Sequence, residues 1–480
     1  MHISKSVHLT SGMKSAAAYT FASLFSKGLS FITIPIFTRI MSTAEIGTVN
    51  LYNSWQSMLT VIATLALTYG GYMVALREFE HERDQYQSAV LTLTSLVAVV
   101  LFIVFSVAPD FWSQLIGLDK SLLILMLIGF LVSPATEFWL ARQRYEYRYV
   151  AASIVTIVSA ILASALSVIT VLTLNNQNSS HAAEGRLFAN FAVLYIVAFV
   201  LWCYILVRGR TFICWKYWTF SLALSLPLIA NQFAMQIMNN SGKIMIGWFA
   251  DKSAVGIYGT LASISTICTI IWSALNTSFV PFLYKNLSEQ HGRIRIRKLS
   301  QLLLLTYAFA CMLIVYLAPE VIKLLATEEY YDAIYIMPVI AAAIFQNAVS
   351  NLYSNVLLYH KKSSYIMISS AIGAIMNIVL NYLLIPLFGY PAAAYSMLLA
   401  YMLLSYSQMI VSNRLHKTVT QSNETVYNDK TIIVIQWILI ILSVLAIPLY
   451  NFYLVRYIAV FLIAVICFAL FMVRHKTNFA

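Results

Sequence analysis

Charged side chains interrupt the long apolar stretches of this sequence at only a few positions. Lys27, Glu137 and Lys243 fall inside such stretches, and Arg39 falls at the end of one. A charged residue at mid-membrane costs about 2.5–3.5 kcal/mol on insertion scales, so such residues normally face a protein interior or a water-filled cavity. Most of these charges are positive, which favours binding of an anionic group such as a phosphate.

Each of these residues also has a purely structural interpretation. Arg39 fits an anchor at the membrane interface as well as a ligand. Glu137 could neutralise Arg142, about one helical turn further along the chain. Arg142 belongs to a basic segment where an anion from the cytoplasm would first arrive, and it is therefore a further candidate ligand.

Three amides form an uncharged polar group in one apolar stretch, namely Asn231, Gln232 and Gln236, shortly after Pro227. Amides spaced four or five residues apart share roughly one helix face, and amide groups pair well with sugar hydroxyls. Hydrogen bonding between helices is the equally weighted alternative.

The elements that must position these residues are membrane-spanning helices. A composition of 61% hydrophobic and 10% charged residues, with a mean hydropathy of +0.79, leaves too little polar surface for a soluble globule of 480 residues. The apolar residues come in blocks of about 20, the length that a helix needs to cross a bilayer. We predict an all-α integral membrane protein with about fourteen transmembrane helices.

The fourteen predicted blocks are 15–40, 47–73, 86–108, 119–140, 149–174, 187–207, 217–241, 254–282, 299–319, 333–358, 364–388, 391–412, 431–450 and 454–473.

The positions of lysine and arginine predict the orientation in the membrane, because basic loops resist translocation. With the N-terminus inside, 22 of the 30 basic residues lie on the cytoplasmic side. An even number of helices then places both termini in the cytoplasm. The same dispersal explains the net charge of +12 by topology and anionic lipid headgroups, and no nucleic-acid-binding motif accompanies it.

A weak internal repeat predicts two related halves. The segment 44–48 (AEIGT) resembles 253–257 (SAVGI), and the basic link 140–149 resembles 358–365. We predict an N-terminal six-helix half at 1–212, a second half at 213–417 and two additional helices at 418–480. Six is even, so the halves would be related by a pseudo-twofold axis along the membrane normal and would enclose a central path.

No motif for enzymatic chemistry or for a cofactor is present. The sequence lacks a GxxxxGK[ST] phosphate loop and an HExxH motif, and its five cysteines show no CxxC pairing. All eight histidines fall in predicted loops or termini, which disfavours a histidine relay across the membrane. No cofactor and no metal site are predicted.

Three segments resemble the Wzx-type polysaccharide flippases of the multidrug/oligosaccharidyl-lipid/polysaccharide (MOP) exporter superfamily. The first is Lys27-Gly28 with 31–55 (FITIPIFTRIMSTAEIGTVNLYNSW), similar to the opening helix and "EIG" turn of that family. The second runs over 255–289, with VGIYGTLASIST and VPFLYKNLSE. The third, at 377–401 (NIVLNYLLIPLFGYPAAAYSMLLAY), is similar to the family's "NxxLNxxLIPxxGxxGAA" segment.

The resemblance implies a MATE-like fold and a flippase. Its substrate would be an undecaprenyl-diphosphate-linked oligosaccharide, such as an O-antigen repeat unit, moved to the periplasmic leaflet of a bacterial inner membrane. A polysaccharide polymerase and a chain-length regulator are the protein partners it implies. Two alternatives are a drug/cation antiporter of the same superfamily and a multipass polymerase or glycosyltransferase. A polymerase or glycosyltransferase would need a sizeable catalytic loop.

The sequence departs from the family pattern at Gly242-Lys243, which stands where an acidic-basic pair is frequent. A mechanism that needs the missing carboxylate is therefore in doubt.

Overall fold

Long helices make up the regular structure of the chain in a computed structural model, which describes residues 11–68, 71–177, 181–287, 289, 292–421, 424–462 and 465. Seventeen α-helices lie in these ranges: α1 (Ser11–Ile40), α2 (Thr43–Ala63), α3 (Gly71–Glu78), α4 (Arg83–Val107), α5 (Pro109–Ile116), α6 (Lys120–Tyr145), α7 (Tyr149–Asn176), α8 (Ala182–Gly209), α9 (Trp215–Phe249), α10 (Lys252–Leu287), α11 (Gly292–Tyr316), α12 (Ala318–Leu325), α13 (Met337–Tyr359), α14 (Ser363–Phe388), α15 (Ala392–Thr420), α16 (Asp429–Leu449) and α17 (Tyr453–Leu462).

Eleven of the described helices are long and apolar enough to cross a membrane, and α9 makes a twelfth if its two parts, bent by 48°, form one span. The predicted all-helical membrane protein is thereby confirmed. The count of fourteen stays a prediction: α2 is not among these spans, and the last predicted block, 454–473, lies mostly outside the described residues.

The predicted block 47–73 is not one continuous helix. α2 ends at Ala63, and the chain then turns through Leu65 and Ala66, which adopt left-handed φ angles of 50° and 48°. Leu65 and Ala66 are both apolar, so hydropathy alone does not register this turn, and the block looks continuous in the sequence.

The chain divides into two compact units, Met1–Phe233 and Ala234–Ala480. In the first unit, Tyr72, Phe79, Tyr86 and Phe138 form an aromatic core between α3, α4 and α6. In the second, α13 belongs to the most deeply buried of the described spans, Glu328–Tyr359. There, 89% of the most apolar 18-residue stretch is buried. The boundaries predicted at 212 and 417 stay predictions.

The first repeated sequence segment is a helix start in both units. Ser42 precedes α2, and its hydroxyl accepts a 3.3 Å hydrogen bond from the Glu45 amide, while Glu45 accepts one from the Ser42 amide at 2.8 Å. Asp251 precedes α10 and accepts a 2.7 Å hydrogen bond from the amide of Ala254. Both copies therefore supply an N-cap, which satisfies backbone donors that the helix leaves free.

The second repeated segment is a helix end in both units. After α6 the amide of Arg148 donates to the carbonyl of Gln143 at 2.9 Å. After α13 the amide of Lys362 donates to the carbonyl of Leu357 at 3.0 Å. The residue before each donor has a left-handed backbone, as expected for a Schellman-type termination. The resemblance between 140–149 and 358–365 thus reflects the same local geometry.

Candidate functional site

The helix α1 carries a polar face that contains Lys27. Thr20, Ser23, Lys27 and Ser30 follow the spacing i, i+3, i+7 and i+10, and all four are exposed. At about 100° per residue this spacing places them within one narrow arc of the helix surface. Lys27 lies about 14 Å along the axis from Ala18 and about 20 Å from Ile40, the ends of the span.

A second exposed arc of α1 is apolar, with Phe21, Phe25, Ile32 and Ile36 on it. Lipid chains favour the apolar arc, so the arc of Lys27 turns toward water or polar groups. Within the described part of the chain, Lys27 makes neither an ion pair nor a side-chain hydrogen bond. Its ammonium group is available to an anion.

Arg39 lies on the apolar side of α1, roughly 120° around the axis from Lys27. Its Nη1 donates a 2.8 Å hydrogen bond to the carbonyl of Pro35, one turn earlier. This placement at the end of the span fits the interfacial anchor better than a ligand beside Lys27.

The helix α9 carries a second polar face, which contains Lys243. From position 239 to 247, the residues with accessible surface are Asn239, Lys243 and Gly247, at i, i+4 and i+8, and the others are buried. Gln232 and Gln236 continue the same line toward the N-terminus of the helix. Every accessible side chain along this line is polar, so the face does not suit lipid.

The predicted amide group only partly shares that face. Gln232 and Gln236 lie on it, while Asn231 is separated from Gln236 by five residues, which corresponds to roughly 140° around the axis. Lys243 makes no ion pair or hydrogen bond with another described residue.

Glu137 lies on α6 beside the break that follows α2. Its Oε2 accepts a 3.0 Å hydrogen bond from the hydroxyl of Thr68. Within the described ranges it forms no ion pair, and Arg142 is neutralised by other carboxylates. The structure therefore separates two residues that the sequence allowed to pair.

Arg142 belongs to an ion-pair network at the end of the first unit that is predicted to be cytoplasmic. Its Nε donates to Glu146 at 2.9 Å, and its Nη1 bonds to Asp84 and, at 2.9 Å, to the side-chain oxygen of Gln87. Asp84 also accepts a 2.9 Å hydrogen bond from Arg208. Most donors of Arg142 are thus occupied by protein groups, which favours a structural role.

The interpretation of all histidines as loop or terminal residues needs a correction. His416 lies within α15, is 2% exposed, and faces His360 with 3.1 Å between ring nitrogens. Burial lowers the pKa of the His360 imidazole below its ordinary value of 6.5. Among the described residues, no group of three or more side chains is arranged to hold a metal ion.

Sequence reasoning missed Asn239 and Tyr401, whose hydroxyl donates a 2.6 Å hydrogen bond to Oδ1 of Asn239. Continuing the line from Gln232 and Gln236 by helical periodicity would have reached Asn239 and Lys243. Tyr401, on α15, contacts Asn239 through tertiary packing alone, and no pattern in the sequence predicts that contact.

These features define a polytopic membrane protein with polar, cationic helix faces inside its apolar spans. The family model described as polysaccharide biosynthesis protein matches residues 13–287, more than half of the chain, and the protein belongs to that family. A second model, MatE, matches residues 227–383. No curated protein matches the chain by sequence.

Solved structures of a lipid II flippase and of MATE-type transporters share the fold of this chain, which supports the MATE-like fold predicted from three segments. "Lipid II flippase MurJ" in an inward closed conformation aligns with a TM-score of 0.69 and 13% identity, over 94% of this chain and 98% of its own. An inward-facing multidrug resistance MATE family transporter gives 0.59 and 12%, over 83% and 96%. A MOP superfamily transporter from Pyrococcus furiosus gives 0.53 and 11%, over 88% and 100%.

Proposed function

We propose that this protein is a flippase for an undecaprenyl-diphosphate-linked oligosaccharide, such as an O-antigen repeat unit. It moves the headgroup from the cytoplasmic to the periplasmic leaflet of a bacterial inner membrane by alternating access. The lipid tail stays in the bilayer throughout. A polysaccharide polymerase and a chain-length regulator are the partners that would act on its product.

The observation that carries this proposal is the pair of intramembrane lysines, Lys27 and Lys243. Each lies on a polar helix face and neither has a counter-ion among the described residues. A diphosphate that leaves water needs compensating positive charge, and charge-assisted hydrogen bonds are roughly twice as strong as neutral ones. Two uncompensated ammonium groups suit that anion and oppose a cationic cargo.

The family and fold support the same substrate class. The chain belongs to the polysaccharide biosynthesis protein family, and one of its structural neighbours is a lipid II flippase. The neutral side chains on the two faces, hydroxyls on α1 and amides on α9, add hydrogen-bonding groups beside each lysine.

A drug/cation antiporter is the second candidate, and Glu137 is the observation that favours it. A carboxylate inside a span, bonded to Thr68 and without an ion pair among the described residues, could bind a cation or a proton. If Glu137→Gln abolished drug efflux by cells that express the protein, while Lys27→Ala did not impair export of polysaccharide, the antiporter would replace the flippase.

Complementation tests the flippase directly. Strains that lack defined flippases would receive the wild type, Lys27→Ala, Lys27→Arg or Lys120→Ala, and surface polysaccharide would be measured. Lys120 is an exposed lysine that pairs with Asp110 at 2.6 Å and serves as the matched control. We expect polysaccharide with the wild type, Lys27→Arg and Lys120→Ala, and little with Lys27→Ala. Equal polysaccharide from the wild type and all three variants would contradict the proposal.

A further inference from the structure

The amides on the α9 face are held in fixed orientations by two neighbouring residues. Asn240 is 6% exposed and bonds to Gln236, and Tyr401 is fully buried and bonds to Asn239. In both contacts the side-chain oxygen of the amide is the acceptor, which leaves the NH₂ group for another partner.

The orientation of Gln236 follows from the backbone. Nδ2 of Asn240 donates to the backbone carbonyl of Gln236 at 3.1 Å, which only the NH₂ end of the asparagine can do. The same NH₂ group lies 3.0 Å from the side-chain oxygen of Gln236. A reversed Gln236 would set two NH₂ groups against each other, so its oxygen points to Asn240 and its NH₂ group is left for another partner.

The orientation of Asn239 depends on Tyr401. The tyrosine hydroxyl donates a 2.6 Å hydrogen bond to Oδ1 of Asn239. Asn239 is itself exposed, and with Oδ1 bonded to Tyr401 its NH₂ group remains available to another partner. Its acceptor atom is occupied inside the unit, as in Gln236.

The result is a segment of this face, from Gln236 to Lys243, that offers donors only. The NH₂ groups of Gln236 and Asn239 and the ammonium of Lys243 lie at i, i+3 and i+7, which spreads them over about 10 Å along the helix axis. All three are donors, and their nearby acceptors are already used.

We propose that Gln236, Asn239 and Lys243 bind the diphosphate of the substrate, and that Asn240 and Tyr401 are positioning residues for the two amides. This inference rests on the proposed flippase function and adds which group of the substrate α9 binds. A sugar ring presents hydroxyls that donate as well as accept, whereas a diphosphate presents acceptors alone. The donor-only segment from Gln236 to Lys243 is therefore assigned to the anion, and recognition of the sugar falls to other residues.

Direct binding to purified protein in lipid nanodiscs tests this assignment. The probes are undecaprenyl diphosphate and the uncharged alcohol undecaprenol. The variants are Asn239→Asp, which replaces the NH₂ donor by an anionic acceptor of the same shape, and Tyr401→Phe, which removes only the orienting hydroxyl. Tyr427→Phe is the matched control, because that buried hydroxyl bonds to the Leu352 carbonyl, away from α9.

We expect Asn239→Asp to weaken diphosphate binding about tenfold or more, and Tyr401→Phe to weaken it about fivefold, as loss of one hydrogen bond allows. Undecaprenol binding and the thermal midpoint should change little, which separates positioning from a merely structural role. Tyr427→Phe should bind both probes as the wild type does.

The binding experiment distinguishes failure of the α9 assignment from failure of the proposed flippase function. Wild-type affinity for the diphosphate in both Asn239→Asp and Tyr401→Phe, with binding still lost in Lys27→Ala, would overturn the α9 assignment and leave the flippase standing. Equal loss of both probes would also overturn it, because the effect would then be on the fold. A wild type with no preference for the diphosphate over undecaprenol would overturn the flippase together with this inference.

Discussion

Arg208 on α8 donates a 2.9 Å hydrogen bond to Asp84 on α4. The other carboxylate oxygen of Asp84 binds Arg142 on α6, so one side chain joins three membrane-spanning helices at one end of the first unit. Shared carboxylates of this kind make the helix ends interdependent, because removing one partner leaves the others uncompensated.

Arg142→Ala should destabilise the first unit. Its side chain is 13% exposed and its guanidinium bonds to Asp84, Glu146 and Gln87, so its loss should cost about 1.5–3 kcal/mol. The unfolding midpoint in detergent measures the effect. Arg144→Ala is the control, since Arg144 is exposed and bonds to a backbone carbonyl of its own helix. Equal midpoints for the two variants would show that the network adds nothing to stability.

Glu320→Ala should destabilise the second unit through Arg456. Arg456 on α17 is 3% exposed and pairs with Glu320 at the start of α12, where the Tyr457 hydroxyl adds a 2.8 Å hydrogen bond. Loss of the carboxylate leaves a buried cation, at a cost of about 3 kcal/mol.

Asp110 provides the matched control for that prediction. It follows an Ala-Pro pair at the start of α5, as Glu320 does at α12, but it pairs with exposed Lys120. Asp110→Ala should therefore change the midpoint little. A midpoint for Glu320→Ala as high as that of Asp110→Ala would mean that the pair does not hold α17.

Gly209→Ala should separate α8 from α4. A Cβ at this position would overlap the backbone oxygen of Asp84 and the side chain of Ser88. Close helix approach in membranes depends on small residues at such points, and the shift would also disturb the bond from Arg208 to Asp84. Gly28→Ala is the control for stability, because nothing lies within 4 Å of the added carbon. The midpoint of thermal unfolding is measured for both variants, and we expect it to fall in Gly209→Ala alone.

The sequence predicted the spans well because length and hydropathy decide them, and it failed where local geometry decides. At the break after Ala63 the chain turns through Leu65 and Ala66, which are apolar residues with left-handed φ angles that hydropathy does not register. Lys27 and Lys243 could be found because a charge in an apolar stretch stands out. Tyr401 could not, because its bond to Asn239 joins residues distant in the chain.

Orientation in the membrane is a prediction from loop charge and can be tested with single cysteines. On a background with the five native cysteines replaced by alanine, Thr420→Cys and Gln177→Cys would each add one exposed thiol. A membrane-impermeant maleimide applied to intact spheroplasts should label Gln177→Cys alone, because the basic segment around 420 is predicted to lie inside. Labelling of Thr420→Cys alone would reverse the topology.

Translocation by the purified protein in liposomes tests the central claim most directly. The substrate is undecaprenyl-diphosphate-linked oligosaccharide with a fluorescent sugar, quenched from outside by a membrane-impermeant reductant. We predict that the wild type and Lys27→Arg move the substrate, and that Lys27→Ala and Lys243→Ala slow it at least about tenfold, as loss of a charged hydrogen-bonding partner allows. Equal rates for the wild type and both alanine variants would contradict the account.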